Sequence, residues 1–383
     1  MNRASWRGSP GSGNPLPPSG LPAGCRVVVT NPFAPPAVNR GSERLAMGLV
    51  GWLRSHGVDA SLMAGGPRSA AYELEGVPIR TTRAPDMGRL WRELGPDLTF
   101  APPMAARLAR DRPDLVHSLL YQDAAAARGA RVPYLVTYAG MPLPASFRGK
   151  PLNRWLFSWA STGARLVTCP SQAVRRHLRD TFAIDAEVIP YAVDASFFSG
   201  ERAAVGGRIV CAAAPGDHRK RVDLLIEALP MVVEQVPDAH LRLAGPVDSR
   251  RRAELLAGVP TEVAERVSFL GEMGQEELKI EYLTASVSCL ASIYEAFGLV
   301  VIEALAAGTP MVVADHGALP ELVTAEVGRT FPAGDAGALA RALVDVIRSN
   351  SDDTMAEACR RRAASFDWSV VGPQWLEAYR RVL

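Results

Sequence analysis

The chain has 383 residues, of which 48% are apolar and 21% charged, with a net charge of +2. These proportions are typical of globular proteins, and the length predicts two domains of ordinary size. No apolar run reaches the roughly 20 residues that a membrane-spanning helix needs. The five cysteines have the spacing of neither a disulfide framework nor a zinc site. We therefore expect a protein of the reducing cytoplasm.

The charge is divided unevenly along the chain. Residues 1–200 carry 23 Lys and Arg against 14 Asp and Glu, whereas residues 201–383 carry 19 against 26. A basic first half favours an anionic acceptor or weak contact with the inner face of a membrane, although soluble domains also differ this much by chance. Segment 147–166 mixes aromatic residues with Arg and Lys as membrane-surface helices do, but core packing is the commoner explanation. No nucleic-acid partner is predicted.

The first 24 residues are rich in Gly, Pro and Ser and lack the apolar stretch of a secretory signal, which predicts a disordered tail. From Cys25, a β-branched run, a loop and a helix from Ser42 to His56 form a first βα unit. Further runs typical of buried parallel strands follow at 113–118, 132–140, 164–171 and 186–193.

A polar, glycine-bearing segment at 199–207 predicts a hinge, because strand–helix alternation starts again after it with RIVCAAA. The later strands are expected at 239–245, 266–271, 286–292 and 309–315, and helices at 221–236 and 250–257. The fold class is therefore α/β, with two doubly wound Rossmann-like domains, 25–198 and 208–365, facing a central cleft.

The segment from Tyr294 to Val323 holds two carboxylates, Glu295 and Glu303, eight residues apart. Glu295 follows a strand, and Glu303 lies one to two turns into the next helix, which Ala296 to Val300 are expected to open. Free N–H groups at such a helix start attract a phosphate. A carboxylate in the helix can accept hydrogen bonds from a ribose diol, and one in the loop can meet the hydroxyls of a sugar.

The run EAFGLVVIE resembles the E-x7-E motif of the retaining glycosyltransferases of family 4, which have the GT-B fold. The resemblance covers most of the chain. It extends to FLGEMGQEEL at 269–278, PELV at 320–323, VIPYAVDASFF at 188–198 and PDLVHS at 113–118. It also implies that the last helix, 366–383, crosses back to the first domain.

By this resemblance, Glu303 holds the ribose and Glu295 the donor sugar, while the backbone around Phe297, Gly298 and Leu299 contacts the sugar and the phosphate. The alternative for the two glutamates is one acid that complements a helix dipole and one solvated helix residue. The agreement of the neighbouring motifs favours the functional interpretation.

No metal is expected, because the chain lacks a D-x-D motif and the nearest spacing, Asp185-Ala186-Glu187, leads into a core strand. Cationic side chains are available to neutralise the charge of a diphosphate instead, in the segment HRKRVDLLIEAL at 218–229. In the resemblance, Lys220 matches the lysine that grips the diphosphate. The family's arginine falls near Pro215, so its role is assigned to Arg219. A solvated basic helix start is the alternative.

In the first domain, the family's paired glycines before a helix correspond to Arg40 and Gly41. Gly41 is expected to let the backbone approach the donor phosphate or the acceptor, the alternative being a plain helix entry capped by Ser42. His117 ends the strand DLVH, at the sheet edge where ligands bind. The resemblance gives it a catalytic position facing the donor sugar, whereas a lone histidine at a strand end is otherwise often structural.

The sequence thus predicts a metal-independent, retaining glycosyltransferase with no cofactor, using a nucleotide-diphosphate sugar and an acceptor of unknown identity. UDP is favoured by family frequency, and GDP stays open. The alternatives are a sugar-nucleotide epimerase of similar two-domain fold and a non-catalytic sugar-nucleotide binder.

Overall fold

A computed structural model describes residues 20–36, 41–83, 99–349 and 353–383. The predicted disordered tail at 1–24 lies mostly outside the described residues. The chain divides into two compact units. Unit 1 holds the described residues up to Pro170 together with Arg175–Ile189 and Gly372–Leu383. Unit 2 holds Ser171–Val174 and Pro190–Val371.

Unit 1 is built on an eight-stranded sheet of order β3-β4-β2-β1-β5-β6-β7-β8, in which only β3 runs antiparallel to its neighbour. Its strands are β1 Arg26–Asn31, β2 Asp59–Gly66, β3 Ala70–Leu74, β4 Val77–Arg83, β5 Leu115–Ser118, β6 Tyr134–Thr137, β7 Leu166–Cys169 and β8 Glu187–Val188. The central strands are buried along their whole length, as in parallel sheets covered by helices on both faces. The helices in this part of the chain are α1 Gly41–Ser55, α2 Ala101–Asp111, α3 Tyr121–Gly129, α4 Pro151–Gly163 and α5 Gln172–Phe182.

Unit 2 is built on a six-stranded, wholly parallel sheet of order β11-β10-β9-β12-β13-β14. Its strands are β9 Arg208–Ala212, β10 His240–Ala244, β11 Val267–Gly271, β12 Val287–Leu290, β13 Met311–Ala314 and β14 Gly328–Phe331. The accompanying helices are α6 Val222–Val233, α7 Ser249–Leu256, α8 Thr261–Ala264, α9 Gln275–Thr284, α10 Leu299–Ala306, α11 Leu319–Leu322, α12 Ala336–Ser349 and α13 Asp353–Ala364. The last helix, α14 Trp368–Val382, begins in unit 2 and continues in unit 1. The two sheets agree with the predicted pair of Rossmann-like α/β folds.

The strand order of unit 2 determines where a ligand site can form. The chain leaves β9 toward β10 and β11 on one side, then returns to β12 on the other side and continues to β13 and β14. The connections after β9 and β12 therefore depart in opposite directions and leave a crevice at the carboxyl ends of these two neighbouring strands. In open α/β sheets, ligands bind at such a switch point.

The division between the units falls at Pro190, before the predicted hinge at 199–207. Residues 190–198 pack inside unit 2: Tyr191 contacts the ring of Phe297, and the N–H of Val193 donates to the carbonyl of Phe366 at 2.9 Å. The last residues of the chain, Gly372–Leu383, belong to unit 1, where Gly372 lies against Trp52.

Candidate functional site

The loop after β9 carries the predicted diphosphate-binding cations. Asp217 accepts the backbone N–H of Arg219 at 3.0 Å, which fixes a short 3-10 turn over His218–Lys220. Arg221 follows in the left-handed conformation, at φ 50°, and only then does α6 begin at Val222. Arg219, Lys220 and Arg221 thus stand directly before α6, with Arg221 as the residue that caps its start.

Arg219 forms a local ion pair. Its guanidinium donates to both carboxylate oxygens of Asp217, at 2.7 to 3.2 Å, and its side chain is 65% exposed. These hydrogen bonds hold the pKa of Asp217 below its ordinary value and raise that of Arg219. An anion that approaches Arg219 therefore meets a cation already shared with a carboxylate.

Lys220 and Glu295 meet at the switch point. The Lys220 Nζ donates to the Glu295 Oε1, so the loop after β9 and the loop after β12 are joined by an ion pair. The two side chains are 25% and 14% exposed, respectively. The carbonyl of Arg219 also accepts the N–H of Ile293 at 3.0 Å and the hydroxyl of Ser292 at 3.2 Å. The backbones of the two loops are thus held together independently of the charged pair.

The segment between the two glutamates turns at Gly298. This residue has φ 107°, and a Cβ placed there would lie 3.0 Å from the Leu319 Cδ2. α10 begins after it, at Leu299. The expectation that Ala296 to Val300 open the helix is therefore wrong for Ala296 to Gly298, because the left-handed glycine ends the loop, and right for Leu299 and Val300. The ring of Phe297 is buried against Tyr191 and Phe366, which leaves only the backbone of this residue for the predicted ligand contact.

Glu303 lies in the second turn of α10 and has no exposed surface. α10 is otherwise made of apolar residues and packs against the sheet, so a carboxylate in this position is an unusual component of a core. The burial of Glu303 excludes the alternative of a solvated helix residue. Its predicted contact with a ribose stays a prediction.

A third loop, after β13, supports Glu295 and was not singled out from the sequence. The backbone N–H of Ala318 donates to the carbonyl of Glu295 at 3.2 Å. Gly317 has φ 62°, and a Cβ placed there would lie 2.8 Å from the same carbonyl. The His316-Gly317 pair directly after a buried strand was the available signal, since glycine at such a position allows close backbone approach.

His117 occupies a different environment from the predicted one. It is fully buried in unit 1, where its Nδ1 lies 2.8 Å from the Tyr379 hydroxyl and its Nε2 lies 2.6 Å from the Thr137 Oγ1. The ring also packs against Trp375, at a centroid distance of 4.8 Å. Burial lowers the pKa of His117 to about 3, so the imidazole is neutral. Both ring nitrogens have partners inside unit 1, which favours the structural alternative, and the predicted contact with the donor sugar stays a prediction.

The other predicted residues of the first domain are Arg40 and Gly41. Arg40 lies outside the described residues. Gly41 is the first residue of α1, and a Cβ placed there would meet no atom within 4 Å. The packing around Gly41 therefore does not require glycine, and its predicted approach to a phosphate or an acceptor stays a prediction.

The described residues contain neither a cluster of metal ligands nor a membrane-spanning helix. Within the described ranges, no group of three or more His, Cys, Asp and Glu side chains is arranged to hold a metal ion. In the same part of the chain, no helix combines the length and the apolar character that crossing a bilayer requires.

Comparison with known proteins adds the family. The model described as Glycosyltransferase Family 4 matches residues 39–197, and the model described as Glycosyl transferases group 1 matches residues 196–366. A curated relative, the phosphatidyl-myo-inositol mannosyltransferase of Mycobacterium leprae, is 34% identical over 224 residues. The match covers 55% of this chain and 58% of that protein, so the chain spans a little over half the length of this relative.

Solved structures show the same fold. Sucrose-phosphate synthase from Thermosynechococcus elongatus superposes with a TM-score of 0.79 at 21% identity, over 93% of this chain and 98% of the other. Anabaena HepE in complex with UDP and glucose superposes with a TM-score of 0.74 at 19% identity, over 93% and 99%. The two adjoining family models together match residues 39–366, and the chain therefore belongs to the family 4 glycosyltransferases, with the GT-B fold.

Proposed function

We propose that the protein transfers a sugar from a nucleotide-diphosphate donor to an acceptor hydroxyl, with retention at the anomeric carbon and without a metal ion. One observation carries the proposal: Lys220 and Glu295 form an ion pair at the carboxyl ends of β9 and β12, where ligands of open α/β sheets bind. A cation and a carboxylate at this place provide partners for a diphosphate and for sugar hydroxyls.

Lys220 is assigned to the diphosphate. The departing nucleoside diphosphate develops negative charge, and a fixed ammonium group neutralises it without a metal. In the structure this ammonium donates to Glu295. Donor binding exchanges that contact for one with the phosphate, and the carboxylate is then released toward the sugar. The ion pair thus keeps both groups in place before the donor arrives.

The other proposed contacts with the donor are made by the start of α10, by Glu303 and by Arg219. The N–H groups of Leu299 and Val300, at the start of α10, have no earlier turn of the helix to bond and suit a phosphate oxygen. Glu303 is assigned to the ribose diol. Arg219 is assigned a second contact with the diphosphate, which its local partner Asp217 weakens.

Retention is proposed through front-face substitution, in which the leaving phosphate accepts the proton of the acceptor hydroxyl. Glu295, released from Lys220 when the donor binds, is assigned to stabilise the developing positive charge on the sugar. His117 takes no part in this mechanism, since both its ring nitrogens are bonded within unit 1.

UDP is the proposed nucleotide. The support comes from HepE, whose structures are in complex with UDP, with UDP and glucose, and with UDP-glucose. The mannosyltransferase name of the M. leprae relative makes GDP-mannose the necessary competitor in any test. A cytoplasmic location is proposed because the five cysteines are all free and buried, as is usual in a reducing compartment.

The test is thermal stabilisation of the purified protein by UDP, GDP and their sugars, with EDTA present. We expect one nucleotide to raise the melting temperature of the wild type, and Glu303→Ala and Lys220→Met to lose most of that shift. Glu326→Ala, at an exposed position in unit 2, is the matched control and keeps the shift. A shift that EDTA abolishes would contradict metal independence, and no shift with any nucleotide would contradict the donor site.

Turnover separates the alternatives. Incubation of the wild type with the stabilising sugar nucleotide alone would yield a new sugar nucleotide if the protein were an epimerase. Stabilisation without turnover across a panel of acceptors would indicate a non-catalytic binder. A glycosylated product whose anomeric configuration equals that of the donor supports the proposal, whereas an inverted product would refute retention.

A further inference from the structure

The segment from Ala124 to Arg179 has an extreme charge composition. It contains nine Lys and Arg residues and no Asp or Glu. Much of the excess positive charge of the first half of the chain is therefore concentrated here. Three of the cations lie around the start of α4: Arg148 and Lys150 precede the helix, and Arg154 is in its first turn. All three are exposed.

α4 carries two apolar faces, although a surface helix needs only one. The first face, formed by Phe157 and Ala160 with Asn153 and Ser161, is buried in unit 1. The second has the spacing i, i+3, i+4, i+7 and consists of Leu152, Trp155, Leu156 and Trp159. Leu152 and Trp155 are 47% and 56% exposed. Few other large apolar side chains among the described residues are exposed to this extent.

The second face is ordered and adjoins a cavity. Trp155 and Trp159 stack with ring centroids 5.6 Å apart, and the Arg128 guanidinium lies 4.6 Å from the centroid of Trp159. Beside Trp159, a cavity of about 290 Å³ opens between α2, α3 and α4. Its walls are apolar and include Ala101, Ala105, Ala125, Leu152, Leu156 and Trp159. The volume is close to that of the smallest ligand pockets, about 300 Å³.

We propose that this surface, defined by Leu152, Trp155, Leu156 and Trp159 with the cations Arg148, Lys150 and Arg154, docks on an anionic lipid bilayer. Tryptophan prefers the interface between headgroups and acyl chains, where its ring is apolar and its N–H stays wet. The cations flank the apolar face and meet the lipid phosphates, and the cavity receives part of an acyl chain. Because the stretch from Ala124 to Arg179 has no acidic residues, its positive charge is complementary to a negative lipid surface.

A protein partner explains the composition less well. The centre of a protein interface is depleted in charged residues, whereas its rim is polar. Arg148, Lys150 and Arg154 lie in a stretch of the chain without acidic residues, which suits a partner surface that is uniformly negative. The inference goes beyond the proposed transferase activity, because every residue of this surface lies in unit 1 and the donor site lies in unit 2.

The test is flotation of the full chain with vesicles of phosphatidylcholine alone or of phosphatidylcholine mixed with phosphatidylglycerol. We expect binding to the mixed vesicles only, weakened by salt. Removing one cation is expected to lower the partition coefficient about fivefold, and Lys150→Glu or Arg154→Glu to lower it further. Trp155→Glu should abolish flotation, and the fluorescence of the wild type should shift to the blue on binding.

The controls use positions of matched exposure in unit 2. Ile280→Glu replaces an apolar side chain that is 57% exposed, and Arg361→Glu reverses a cation that is 67% exposed. Both should float like the wild type. Melting temperature and nucleotide-induced stabilisation should be unchanged in all variants, so failure here is distinguishable from failure of the donor site.

Four outcomes would overturn the inference. Wild-type protein that does not float with phosphatidylglycerol, or floats equally without it, excludes an anionic bilayer as the partner. An equal loss of flotation in Ile280→Glu would show that vesicle binding is not specific to α4. A lowered melting temperature in Trp155→Glu would show that the face packs against another part of the chain. Conversion of a dimer to a monomer by Trp155→Glu would identify a second copy as the partner.

Discussion

Replacing Lys220 with methionine tests the centre of the proposed site. Methionine keeps the length and the apolar part of the side chain but removes the ammonium group. The variant loses the hydrogen bond to Glu295 in the free protein and the proposed one to the diphosphate in the complex. A hydrogen bond to a charged group contributes about 1.5–3 kcal/mol, so loss of the contact with the diphosphate weakens the affinity for the nucleotide by at most roughly 10- to 150-fold. Loss of the competing contact with Glu295 offsets part of this effect.

The free-state ion pair makes a second variant informative. Glu295 competes with the diphosphate for Lys220, so Glu295→Gln removes the competitor. We expect this variant to bind the nucleoside diphosphate more tightly than the wild type while losing transfer activity. In Lys220→Met/Glu295→Gln the gain should disappear, because the two residues act on each other and their effects on affinity cannot add.

Titration calorimetry with the nucleotide identified by thermal stabilisation measures all four proteins. The control is Arg221→Met, which removes a neighbouring cation that pairs with Asp223 and is not assigned to the donor. Unchanged affinity in Lys220→Met would refute its assignment to the diphosphate. Weaker binding of the nucleoside diphosphate in Glu295→Gln would refute the competition inferred from the ion pair.

Two further predictions concern stability and pH. Gly298→Ala should lower the free energy of unfolding by about 1–3 kcal/mol, because φ 107° strains an L-residue and the new Cβ approaches Leu319. Gly41→Ala, in open space at a helix start, should be neutral or stabilising by up to about 1 kcal/mol; urea unfolding that gives both variants the same change would contradict the backbone argument. The pKa of His117 is lowered to about 3, below its unfolded value, so the proton binds the unfolded chain first and stability falls as the pH drops from about 6.5 toward 3. At about pH 5 this costs about 2 kcal/mol relative to neutral pH. The ring resonances of His117 should not titrate between about pH 8 and pH 5, and a midpoint near 6.5 would show that the imidazole is not buried as described.

The local pattern of the sequence was sufficient for most of the parallel strands. Runs such as RIVCAAA and TPMVVAD are largely apolar and flanked by turn residues, and the structure has strands in both. The strands β2, β3, β4 and β14 were not predicted. β3 alternates partly exposed and fully exposed positions and is held only by β4 at the edge of the sheet, so its pairing depends on a partner that the local sequence does not reveal.

The motifs determined the family and the identity of the acidic and basic residues near the switch point, because a short run with fixed spacing can be recognised from the sequence alone. Only the tertiary structure decided how these groups pair. Lys220 and Glu295 are 75 residues apart, and they meet because β9 and β12 are neighbours in the sheet. His117 is buried for the same kind of reason: Tyr379, 262 residues later, covers its Nδ1, and no pattern around DLVH could indicate that contact. Spacing along the chain reports what one element can present, whereas burial and pairing depend on which other elements pack against it.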